Sequence, residues 1–149
     1  MEEPNVTCAA IISFAEKFED NSSDFYVKLA ERYAKGKEKF LSFSKESKKN
    51  KILITRTYQE TISDALEACF IKGLNLSDIT ITTSLAEDMS FLDALKMAIE
   101  LEDKAAKFYI DVAERTKSLL ATIPMAFRRV AKNRKNRKHE LNSLLDSLR

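Results

Sequence analysis

From Leu120 to Leu148 the chain reads Leu-Ala-Thr-Ile-Pro-Met-Ala-Phe-Arg-Arg-Val-Ala-Lys-Asn-Arg-Lys-Asn-Arg-Lys-His-Glu-Leu-Asn-Ser-Leu-Leu-Asp-Ser-Leu. Leu120, Ile123, Phe127, Val130, Leu141, Leu144 and Leu148 fall at the three- and four-residue steps that line one face of a helix for burial. Continuing those steps from Phe127 and Val130 lands on Arg134 and Arg137, so two guanidinium groups stand at positions aimed at the core. A fully buried arginine is rare unless it is paired. The reading of the chain therefore turns on what pairs these two.

The totals agree with a helical protein. Two Gly, two Pro and no Trp in 149 residues leave few breakers among many helix formers. A chain of this length is expected to form one domain, residues 1–149, with a proper core. Lys and Arg number 25 against 23 Asp and Glu, so any basic character is local. No apolar run reaches the roughly 20 residues that span a bilayer, which predicts no membrane partner. The acidic start, Met-Glu-Glu-Pro-Asn, lacks the basic and apolar regions of a secretory signal, and a cytoplasmic protein is expected. Cys8 and Cys69 stand alone, which predicts two small apolar residues rather than a disulfide or a zinc site.

Taken in order, Thr7 caps a first helix running to about Arg32, with Ala15, Phe18, Ser22, Phe25 and Leu29 inward. Gly36 breaks the pattern, and a second helix places Phe40, Phe43, Ser47, Asn50 and Ile54 on its inner face. Its pattern continues through Tyr58, Ile62, Leu66 and Phe70 to a terminating Gly73. Leu74 to Met89 reads as a long crossover; an isolated strand at Ile79-Thr80-Ile81-Thr82 has nothing to pair with. Ser90 and Asp93 form a capping box for a third helix carrying Ala98, Leu101, Ala105, Phe108 and Val112 inward. Pro124 is tolerated in the first turn of the fourth. The expected fold is all-α: an antiparallel four-helix bundle of two helical hairpins, with the long crossover between helices two and three.

The two hairpins echo each other. Glu19-Asp20, Phe25-Tyr26 and Ala30-Glu31-Arg32 match Glu102-Asp103, Phe108-Tyr109 and Ala113-Glu114-Arg115. Setting Phe40 against Phe127 brings Lys45, Lys48 and Lys51 onto Lys132, Lys135 and Lys138. This predicts an internal repeat. Glu19 and Glu102 lie beside the inward Phe18 and Leu101 at equivalent points, with Tyr26 and Tyr109 two turns further on, which predicts an internal polar site rather than two boundary carboxylates reaching water.

The phrases Ala98-Ile99-Glu100-Leu101-Glu102, Ala105, Phe108-Tyr109, Ala126-Phe127, Val130-Ala131 and Glu140-Leu141, with their first-half echo, resemble the rubrerythrin branch of the ferritin-like superfamily over about residues 9–55 and 91–148. The resemblance implies a ferritin-like bundle whose two irons are held by one Glu from each of the first and third helices and a Glu-x-x-His from each of the second and fourth. Carried over residue by residue, Glu19 and Glu102 are the single carboxylates. The Glu-x-x-His positions hold Ser47 and Asn50 in one case and Arg134 and Arg137 in the other. A cation there has no lone pair to offer and repels a metal ion. The Cys pairs of the family's rubredoxin-like module are missing as well.

The expectation is thus a degenerate di-iron site. Glu19, Glu102, Arg134 and Arg137 form a buried ion-pair cluster, Asn50 and Ser47 satisfy leftover donors, and the Tyr26 and Tyr109 hydroxyls lie nearby. No cofactor is predicted, and the protein is a non-catalytic structural or interaction module with an unidentified protein partner. On this reading Arg134→Ala destabilises severely, and Arg134→Met with Glu102→Gln is better tolerated.

Three other readings remain open at this stage. The arginines can snorkel to water over a rotated or frayed last helix. An oxidoreductase of peroxidase or ferroxidase type can bind iron or manganese through a shifted ligand set, using Glu19 and Glu102 with donors from Glu16, Glu46, Glu100, His139 and Glu140. The basic run from Arg128 to Lys138, facing Lys45 to Lys51, can attract an acidic partner or nucleic acid, although no nucleic-acid motif or interleaved aromatics support the latter. A homodimer is expected if the crossover residues Ile79, Ile81 and Leu85 need apolar cover.

Overall fold

Thr7 ends a short strand and starts the first helix. In the computed structural model, which describes residues 5–61, 70–76, 79, 83–118 and 122–148, β1 (Asn5–Thr7) leads into α1 (Cys8–Arg32). The Ala10 amide donates to Thr7 Oγ1 at 3.1 Å, satisfying one of the free donors of the first turn. Gly36 opens α2 (Lys37–Glu60) with a φ of 84°, and an added Cβ would meet Leu144 Cδ2 at 3.2 Å in a backbone conformation that already disfavours it. Ser90 begins α3 (Phe91–Thr116), its Oγ accepting from the Asp93 amide at 3.1 Å. α4 (Thr122–Asp146) carries Pro124 in its first turn, where a missing N–H removes no helical bond.

The directions of the helices follow from the residues that meet. Glu16, Asp20 and Ser23 of α1 meet Thr55, Lys51 and Ser44 of α2, so these two are antiparallel. Phe14, Tyr26 and Tyr33 meet Phe108, Glu102 and Phe91, which sets α3 antiparallel to α1. Tyr109 and Glu102 meet Phe127 and Arg134, and Lys39 and Glu46 meet Glu140 and Arg137, so α4 runs against both α3 and α2. α2 and α3 therefore point the same way, and the link between them returns along the bundle. The result is an all-α four-helix bundle.

Two details differ from the expectation. α2 stops at Glu60 instead of continuing to Gly73; Ile62 and Leu66 lie outside the described residues, and Phe70 belongs to β2 (Phe70–Lys72). β2 pairs antiparallel with β1, placing Val6 opposite Ile71 and Thr7 opposite Phe70. Ile71 is buried while its neighbours are exposed, the two-residue alternation of a half-buried strand. Three residues are too short a signal without their partner, which sits at the other end of the first hairpin. Gly73 does have the left-handed φ expected of it, 81°, but it follows a strand rather than a helix. A Cβ there would stand 2.9 Å from Arg115 Nη1, which donates to the Lys72 carbonyl.

Cys8 is also corrected. It is fully buried and disulfide-bonded, and the sequence contains one other cysteine, Cys69. Disulfides persist mainly in oxidising compartments, so this bond and the cytoplasmic expectation pull in different directions. Among the described residues no helix is long and apolar enough to cross a membrane.

The core joins all four helices through Phe18, Phe25, Phe40, Leu101, Phe108, Phe127 and Val130. At the end of α4, Leu141 and Leu145 are buried and Leu144 and Leu148 are half-buried, a one-residue shift from the expected series; Leu120 lies outside the described residues. Ile79 is irregular and, like Leu85, half-buried against the core of its own chain, which removes these two as a reason for a dimer. Ile81 lies outside the described residues.

Candidate functional site

At the middle of the bundle the apolar series of each helix is interrupted by polar side chains, and all of them converge. Glu19, Ser47, Glu102 and Arg134 are wholly buried, and Arg137 is 1% exposed. The two arginines do not reach water, so the snorkelling alternative is excluded.

Arg134 occupies the centre. Its Nη1 donates to both Glu102 oxygens at 2.9 Å, while Nη2 donates to Glu19 Oε2 at 2.6 Å and to Ser22 Oγ at 2.9 Å. Planar donors in a fixed fork suit this double grip, which a lysine could not reproduce. The guanidinium carbon lies 4.8 Å over the Phe18 ring. Nε is the one buried side-chain polar atom without a hydrogen bond among the described residues. Burial pulls the guanidinium pKa down, but Glu102 and Glu19 outweigh it and hold the group charged, well above its ordinary value.

Each glutamate is also bound by a tyrosine from the other hairpin. Tyr26 of α1 donates to Glu102 of α3 at 2.5 Å, and Tyr109 of α3 donates to Glu19 of α1 at 2.5 Å. The arrangement is reciprocal, as is the surrounding pair of bridges Asp20–Lys51 at 2.6 Å and Asp103–Lys138 at 2.8 Å. The Asp20–Lys51 bridge is exposed and contributes little to stability, and the Asp103–Lys138 bridge is part-buried.

Arg137 is paired differently from the expectation. Its nearest carboxylate is Glu46, reached by Nε at 2.6 Å, while Glu102 stands 3.7 Å from Nη1. Ser47 accepts from Nη1 at 2.9 Å and Asn133 from Nη2 at 3.3 Å. Asn50 does not satisfy a leftover donor; it donates to Glu19 Oε1 at 3.2 Å and to Asn133 Oδ1 at 3.1 Å. Glu46, Asn133 and Ser22 are thus members that the sequence reading left out. Glu46 and Asn133 sit one residue before the inward Ser47 and Arg134, on the flank of the buried stripe, where a long side chain can reach inward.

The donor set does not fit a metal ion. A guanidinium stands between Glu19 and Glu102, and among the described residues no three His, Cys, Asp or Glu side chains gather as ligands. The shifted set does not assemble either. Glu16 is bonded to Thr55, Glu100 pairs with Lys104, Glu140 pairs with Lys39, and His139 is exposed.

Burial first, and then the neighbouring carboxylate, raises the pKa of Tyr26 and of Tyr109 well above the ordinary 10.0. Both hydroxyls therefore keep their protons in the folded state at pH values where the unfolded chain loses them. Stability is complete below the unfolded value and falls as pH rises above it, by up to about 1.4 kcal/mol per pH unit for each hydroxyl. Urea midpoints measured from about pH 9 upward should show this loss, and Tyr26→Phe with Tyr109→Phe should flatten it. An equally steep fall in the Phe variant would assign the loss to other groups.

Comparison with known proteins finds no matching family model, no matching curated protein and no matching solved structure.

Proposed function

We propose that this chain is a non-catalytic structural or interaction module of rubrerythrin-like, ferritin-like descent, in which a buried ion-pair cluster stands where the di-iron centre of its relatives would be. The observation that carries this reading is the placement of Arg134 between Glu19 and Glu102, at 2.6 and 2.9 Å. A divalent cation neutralises two facing carboxylates; here a guanidinium does so and leaves no lone pair or open position for a substrate oxygen. Two further observations support the descent. The α1–α2 and α3–α4 hairpins contribute matching Glu–Tyr bonds and matching Asp–Lys bridges. The parallel direction of α2 and α3 also suits a ferritin-like crossover.

The reading is tested by putting the ligands back. Ser47→Glu, Asn50→His, Arg134→Glu and Arg137→His together, with native Glu19 and Glu102, should bind iron or manganese and fold only with it. Elemental mass spectrometry and thermal denaturation with and without metal would measure this, beside the native protein as a control. Stoichiometric metal on the native protein would overturn the reading, and a variant that folds without metal and binds none would remove the metal-site ancestry from it.

A second reading, contact with an acidic partner, rests on segregated charge. α2 carries seven basic and three acidic side chains and α4 seven and two, against three and five on α1 and four and six on α3. The basic helices pack together, and without the buried Arg134 and Arg137 of α4 their outer sides still carry an excess of basic side chains that make one positive face.

A further inference from the structure

Where α2 and α4 meet, above the buried cluster, lies a groove of about 440 Å³. Lys45, Lys49 and Arg56 line it from α2 and Arg129 from α4, and all four side chains are exposed. None of them forms an ion pair among the described residues. Other cations of the same two helices do: Lys39, Lys51, Arg128 and Lys138 each have a carboxylate within 3.6 Å. Lys37, Lys48, Lys132 and Lys135 also lack an ion pair among the described residues, but they do not line the groove; Lys45, Lys49, Arg56 and Arg129 share a single concavity.

The groove contains one acid, Glu46, and it is already engaged. Arg137, buried beneath, holds Glu46 Oε1 at 2.6 Å and so neutralises the single group on this wall that would repel an anion. Ser42 adds a hydroxyl donor, and Leu53 with the exposed Ile52 gives one side an apolar edge. The volume suits a small molecule. No aromatic side chain lines the groove, so it lacks the stacking surface that single-stranded nucleic acid uses.

We propose that this groove is a binding site for a small polyanion of phosphate type, a phosphorylated metabolite or a phosphate-bearing headgroup, held by Lys45, Lys49, Arg56 and Arg129. Guanidinium and ammonium groups converging on one concavity provide charge-assisted hydrogen bonds to several phosphate oxygens at once. The groove binds its anion whether or not the buried centre descends from a metal site.

Isothermal titration of the full chain with inorganic pyrophosphate at low ionic strength is expected to saturate at one site. Lys49→Gln with Arg129→Gln should weaken that binding by roughly tenfold or more. Lys48→Gln with Lys135→Gln removes the same charge from the same helices outside the groove and should change it little. Circular dichroism confirms that each variant is folded. Sedimentation with mixed phosphatidylcholine–phosphatidylglycerol vesicles forms the second arm. Groove-dependent binding to either probe supports the site and tells whether its phosphate is free or lipid-borne. Absence of saturable binding to both probes, or equal weakening by the two double variants, overturns it. Tight binding to single-stranded RNA that both double variants weaken alike would assign the positive face to nucleic acid instead.

Discussion

Arg134→Ala is expected to lower the unfolding free energy by roughly 3–5 kcal/mol, because it strands buried carboxylates without their cation. Glu19 and Glu102 are both wholly buried, and both take their shortest cationic contact from this one guanidinium. After the substitution Glu19 keeps Tyr109 and Asn50, and Glu102 keeps Tyr26. Those are neutral donors, and the one remaining cationic contact, Arg137 to Glu102 at 3.7 Å, is too long for a hydrogen bond and leaves Glu19 without a cation. The removed side chain also leaves a void against Phe18, whose ring it covers. Chemical denaturation measures the loss; a change below about 1 kcal/mol would mean that Arg134 is not what compensates the two buried glutamates.

The disulfide is the second large contribution. Cys8 opens α1 directly after β1, and the only other cysteine of the chain directly precedes β2. A disulfide restricts the unfolded chain and typically stabilises a fold by about 2–4 kcal/mol. Cys8→Ser, or reduction, should therefore lower the urea midpoint strongly while leaving the helical spectrum of the folded fraction unchanged. The short β1–β2 ladder cannot hold this corner alone, since a two-stranded ribbon is marginal in water. An unaltered midpoint under reducing conditions would show that the bond contributes no stability.

Much of the fold was legible because it depends on local period and capping. Thr7, Gly36 and Ser90 mark three helix starts, and the inward series from Phe18 to Leu29 and from Ala98 to Val112 is buried as the spacing predicts. The β1–β2 ladder was not legible, because neither three-residue strand has a pattern of its own and each becomes a strand only through the other. The same reason hid the disulfide. Two cysteines far apart in sequence carry no spacing signal, and nothing local to Cys8 marks it as disulfide-bonded.

The candidate site was legible to a different depth. Repeat alignment and broken periodicity located Glu19, Ser47, Asn50, Glu102, Arg134 and Arg137, and the structure brings all six together. Their pairing was not readable. One arginine per glutamate is the simplest charge count, whereas Arg134 serves both glutamates and Arg137 turns to Glu46. A choice between partners one helical flank apart depends on side-chain reach, which residue type and period do not specify.

That pairing sets the most direct measurement. Arg134→Met with Glu102→Gln alone leaves Glu19 charged and buried, so the neutral replacement requires Glu19→Gln as well. In the triple variant Arg137 and Glu46 still neutralise each other, and no uncompensated charge remains inside the bundle. Replacing a buried ion pair by neutral groups of similar volume is often harmless. Urea denaturation of the triple variant beside Arg134→Ala should therefore show most of the lost stability restored. An equal loss in the two proteins would contradict an ion-pair centre shared by Glu19, Arg134 and Glu102.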